Sequence, residues 1–150
     1  MPLMFTLHLL SAALWVGGMF FAYVALRPAA AQLLEPPLRL PLWGKVFKHF
    51  FRWVWAFVIL LPLTGYGLIY LKYQGMANVS VGIHIMQFTG WVMILIFAYL
   101  YFAPYKKLKH FVAEKNFPEA GKNLNIIRQL VFINLTLGLI TLISASTLHY

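Results

Sequence analysis

The residues able to carry chemistry are five histidines and six methionines; cysteine is absent, and the three acids are all glutamates. His84 stands in Ile83-His84-Ile85-Met86-Gln87, just inside a long apolar run, and His8 stands inside the first such run. An ionisable side chain at that depth is costly to bury without a partner and marks a functional site by default. Two neutral imidazoles at matched depth suit the axial positions of a b-type haem. Met4, Met76 and Met86, with Met1, fall at the same end of the chain's apolar runs, and Met4 and His8 are an i, i+4 pair. Thioether plus imidazole is the soft donor set that selects Cu(I), so copper is the alternative to haem. Without cysteine, thiolate metal sites and disulfides are excluded. No aspartate, no Gly-rich phosphate loop and no Ser/His/Asp set exists, which argues against hydrolysis and phosphoryl transfer. If the chain is an enzyme, a membrane oxidoreductase is the class that remains, because a cofactor then supplies the reactivity.

The elements that must position these residues are read from hydropathy. Of 150 residues, 62% are hydrophobic and 10% charged, and the mean hydropathy is +0.78. A soluble domain carries roughly a quarter charged residues, so an integral membrane protein is expected. Four runs, near 3–26, 51–71, 81–103 and 130–148, reach the length of about 20 residues that crosses a bilayer core. All must be helices, since lipid offers no partner to an unpaired backbone group. The expectation is a single all-α domain, an up-down-up-down four-transmembrane-helix bundle, with the third helix continuing to about residue 115. Pro28, Pro36, Pro37 and Pro41 should break any long helix between the first two spans. The first run lacks a basic lead-in and a small-residue cleavage pattern, so it reads as a span, not a cleaved signal.

Eleven basic residues, among them Arg27, Arg39, Lys45, Arg52, Lys107 and Arg128, then belong to one side and Lys72 alone to the other. The positive-inside rule makes the first side cytoplasmic, placing both termini in the periplasm of a bacterial inner membrane. The net charge of +9 is thereby accounted for by lipid headgroups, and nucleic acid is not an expected partner.

Helical spacing puts His8, Ser11, Trp15 and Gly18 on one stripe of the first helix, and His84, Gln87, Phe88 and Trp91 on one stripe of the third. In such a bundle the first and third helices can face each other across the middle. The cofactor-binding set expected is therefore His8, His84, Ser11, Trp15, Gln87 and Trp91, with His8 and His84 on the haem iron and His149 in reserve. The alternative copper ligands are Met4, Met76 and Met86. Each histidine alone is better explained by helix capping near the headgroups; the matched pair tips the balance toward a site. His49 and His110 flank lysines and arginines and read as headgroup contacts. Gly17-Gly18 and Gly65-Tyr66-Gly67 allow close helix approach, Pro62 kinks the second helix beside Thr64, and Asn134 reads as an interhelical hydrogen-bond residue.

His8-Leu9-Leu10, Trp15-Val16-Gly17-Gly18 and Leu26-Arg27-Pro28 are followed by Phe51-Arg52-Trp53-Val54-Trp55, His84-Ile85-Met86-Gln87, Tyr101-Phe102-Ala103-Pro104-Tyr105-Lys106-Lys107-Leu108 and Ile133-Asn134-Leu135-Thr136-Leu137-Gly138. Together these resemble the CopD family of bacterial inner-membrane proteins, and the resemblance implies copper uptake across that membrane. The chain is also distantly similar to HemJ, a four-helix protoporphyrinogen oxidase that binds haem b through a first-helix histidine matching His8. Leu135 replaces the glutamate that should follow the asparagine in that pattern, so the likeness does not carry the enzymatic activity over.

Three functions stand open at this stage. The first is electron transfer through a b-type haem, with quinone or a periplasmic redox partner. The second is copper binding or transport. The third is a non-catalytic role in a homo-oligomer or larger membrane complex.

Overall fold

The computed structural model describes residues 2–147 and shows four helices, α1 (Pro2–Leu33), α2 (Pro36–Tyr73), α3 (Val81–Ala113) and α4 (Phe117–Thr147), each long and apolar enough to cross a membrane. The all-α four-helix bundle read from the sequence is the architecture found. Its helices are longer than expected at one end. The 38 residues of α2 extend roughly 57 Å at 1.5 Å per residue, well beyond a hydrocarbon core of about 30 Å.

The prolines do not break these helices, and the reason is local. Pro36 and Pro37 occupy the first turn of α2, where the missing N–H has no intrahelical acceptor to lose. Pro28 follows a π-helical turn over Phe21–Leu26, and Pro104 sits inside another over Tyr101–Tyr105. A proline ring clashes with the carbonyl four residues back, and the wider π turn opens room for it. The polar lead-in to the last span is helical as well, starting at Phe117.

The turns are short. After α2, Gln74 takes the left-handed conformation and Gly75 has φ 126°, which only glycine adopts without strain. The Asn78 amide closes this turn by donating to Tyr73 O at 2.9 Å, and Ser80 caps α3. Between α3 and α4 the chain reverses through Lys115 at φ 58°.

The helices pack mainly as two pairs, α1 on α2 and α3 on α4. In the second pair Asn134 Nδ2 donates to Met93 O at 3.1 Å, and the Thr89 and Thr141 hydroxyls share a hydrogen bond. Gly138 lets α1 approach: a Cβ there would lie 2.7 Å from Val16 and 3.3 Å from Met93. The pairs are joined at the end bearing the basic residues, hereafter the basic end. An aromatic cluster sits there, with Phe47 stacked on Phe51 at 4.9 Å, Phe51 edge-on to Phe97 at 5.3 Å, and Trp55 against Phe97 at 5.1 Å. Val54, Leu108 and Ile127 are fully buried in the same core. Most large side chains elsewhere on the spans are apolar and exposed, as contact with lipid requires.

Candidate functional site

Past the aromatic cluster, toward the end opposite the basic residues, α2 and α3 part. The opening is a cavity of about 280 Å³ walled by all four helices, reached by His8, Trp15, Gly65, Met86, Gln87 and Thr141 among others. Its lining is almost wholly apolar, so the few polar groups decide what it can hold.

His8 is the best defined of them. Its Nδ1 lies 2.9 Å from Thr64 Oγ1, and that hydroxyl lies 2.6 Å from Leu60 O and 3.3 Å from Leu61 O. Threonine has one proton, and only donation can satisfy it against a carbonyl. With the proton on the Leu60 carbonyl, the oxygen accepts from His8 Nδ1–H. In that tautomer Nε2 is unprotonated and carries a free lone pair. The sequence builds this arrangement with small residues on α2. A Cβ on Gly65 would come within 3.1 Å of the His8 ring, and one on Gly67 would collide with the Met4 thioether. The i, i+4 pair Met4 and His8 thus rests in two notches of the facing helix.

On α3, Met86 and Met93 reach the cavity, and beside Met86 the Gln87 side chain also lines the wall. The Gln87 Nε2 is buried and has no hydrogen-bond partner, a costly condition for an amide and one that a bound group would relieve. The seam between α2 and α3 is bridged by Trp91 Nε1, which donates to Tyr66 Oη at 2.9 Å.

The expected site is assembled in part. His8, Trp15, Gln87 and Trp91 line the cavity; Ser11 is buried beneath it in the packing of α1. His84 is not brought to His8. It is exposed and absent from the lining, and Phe88 on the same stripe is 73% exposed. The face that α3 turns inward is carried by Ile83, Met86, Gln87 and Gly90, so the His84 edge of the expected stripe, about 100° from the middle of that face, points away while its Gln87 and Trp91 edge reaches the cavity. The bis-histidine pairing expected for haem therefore has no counterpart in this arrangement. Of the expected copper donors, Met86 is at the cavity, Met4 lies behind His8 on Gly67, and Met76 is 44% exposed in the turn. His149 and Met1 lie outside the described residues. His49 and His110 are exposed, the latter 3.3 Å from Glu114. Among the described residues no three histidine or acidic side chains converge as a metal site.

Sequence reasoning did not assign Thr64 its role toward His8, nor Tyr66 its role at the seam. In the sequence Thr64 reads only as a neighbour of Pro62, and the packing of α1 on α2 shows what its hydroxyl contacts.

The family model described as Copper resistance protein D matches residues 44–148. That stretch contains Thr64, Gly65, Tyr66, Met86, Gln87 and Trp91, while His8 is supplied by the helix before it. No curated protein matches the chain, and no solved structure does.

Proposed function

The chain belongs to the copper resistance protein D family, and on that premise we propose that it handles copper(I) as cargo at the cavity between its four helices. It is a multi-pass membrane protein, in contact with lipid along its spans. In this reading His8 Nε2 is the fixed donor and the Met86 thioether the soft one, the combination that prefers Cu(I) over harder ions. The observation that carries the proposal is the His8–Thr64 hydrogen bond. A metal-binding histidine usually donates its other ring N–H to an outer partner, which orients the ring and raises its basicity. Here a candidate for that partner is present, and His8 and Met86 both line the cavity.

The eleven basic residues on one side support a basic end in the cytoplasm of a bacterial inner membrane, and in this reading the cavity takes its copper from the periplasmic side. The protein purified in detergent is expected to bind Cu(I) anaerobically. His8→Ala should weaken binding at least about tenfold, the loss typical of a disturbed ligand shell. Met86→Leu, nearly equal in volume, should weaken binding while leaving the fold intact. Unchanged Cu(I) affinity in both variants would defeat the copper reading. A purified protein carrying a Soret band that His8→Ala removes would instead restore haem as the ligand.

A further inference from the structure

A second cavity, of about 320 Å³, lies at the basic end between α1, α2 and α4. Three arginines from three different helices border it: Arg27 from α1, Arg39 from α2 and Arg128 from α4. All three are half-buried. Arg27 lies 4.5 Å over the Tyr23 ring and donates to Tyr23 O at 3.3 Å, while Arg128 is steered by Asn125 Oδ1, at 2.7 Å and 3.1 Å from Nη2 and Nε. Arg39 has no side-chain partner among the described residues.

No carboxylate borders this cavity. Glu119 is 3.0 Å from Lys122, Glu114 is 3.3 Å from His110, and Glu35 is exposed just ahead of α2. Three guanidinium groups thus share one partly desolvated recess with no counter-charge from the protein. Like charges gathered away from water cost free energy, and an anion among them removes that cost. Apart from Asn125, the rest of the wall is apolar and aromatic, including Leu40, Trp43, Phe47 and Val131.

An anion bound there must therefore carry a hydrophobic body. We propose that this cavity binds the phosphate of an anionic phospholipid, its headgroup held by Arg27, Arg39 and Arg128 and its acyl chain laid on the aromatic wall. Guanidinium forks match phosphate oxygens in pairs, which a lysine point charge does not. Basic recesses between transmembrane helices on the cytoplasmic side are suited to such headgroups. The inference is independent of copper and of the cavity at the other end.

The test uses the whole chain in a neutral detergent, with dihexanoyl phosphatidylglycerol, dihexanoyl phosphatidylcholine or inorganic phosphate added. Adducts are read by native mass spectrometry and thermal unfolding by tryptophan fluorescence. Phosphatidylglycerol is expected to form a one-to-one adduct and raise the unfolding temperature, and phosphatidylcholine to do neither. Arg39→Gln should weaken the phosphatidylglycerol adduct about fivefold or more, whereas Lys107→Gln, exposed and away from the recess, should not weaken it. Equal binding of both lipids by the unaltered protein, or equal loss in the two variants, would overturn the proposal. The same stabilisation by inorganic phosphate at the lipid's concentration would overturn the assignment to a lipid.

Discussion

At the scale of single residues, the proposed copper site depends on which nitrogen of His8 carries the proton, and the Thr64 hydroxyl beside Nδ1 favours that one. Replacing Thr64 by valine keeps the shape, removes the acceptor of Nδ1–H and leaves the ring free to turn. Cu(I) affinity is expected to fall about 10- to 100-fold, as when an outer partner of a metal ligand is lost, with thermal unfolding little changed. Thr64→Ser, which keeps the hydroxyl, should hold affinity near that of the parent. Equal affinities in the valine and serine variants, measured by competition with a Cu(I) chelator, would remove Thr64 from the site. That His8, Trp15, Gln87 and Trp91 share one cavity was legible in the sequence because depth and helical spacing place them together. His84 shares their depth but faces outward, for a reason built into helices. Neighbouring residues point about 100° apart, and in an apolar run no polar face announces which of them turns inward. Ile83 and Met86 take that face, and His84 is left outside.

Among the elements, the spans were legible and their extensions were not. Proline costs about 3 kcal/mol in a helix interior, so a stretch containing Pro28, Pro36, Pro37 and Pro41 reads as a loop. The helix-start positions of Pro36 and Pro37 and the π turns near Pro28 and Pro104 remove most of that conflict. The overhanging helical ends carry the basic residues, and their placement can be checked directly because the chain has no cysteine to interfere. In spheroplasts, Lys72→Cys is expected to react with a membrane-impermeant maleimide, and Lys107→Cys only after permeabilisation. Labelling in the opposite order would turn the cavity toward the cytoplasm and end the proposal of periplasmic loading.

For the molecule as a whole, hydropathy was enough to give four antiparallel helices, but not how they divide. Rotation and pairing are set by contacts such as Gly138 against Val16, and by polar links such as Asn134 to Met93, none of which has a signature in one helix alone. The two helix pairs meet at the aromatic cluster and again where Gly138 packs on Val16, and the Trp91–Tyr66 hydrogen bond is the one side-chain hydrogen bond between α2 and α3 among the described residues. Trp91 stands six residues from Phe97, about 9 Å along the axis. A splay of about 10° there moves Trp91 by about 1.5 Å, enough to carry a bond of ordinary length past its limit. Tyr66 and Trp91 are both exposed on that seam, so a path opened by breaking this latch would lead sideways, toward acyl chains and not toward bulk water. Tyr66→Phe removes the latch and leaves the donors untouched, so Cu(I) should enter and leave faster in stopped-flow exchange at unchanged equilibrium affinity. Exchange as slow as in the parent protein would mean that entry runs along the bundle axis and that the latch is only a brace.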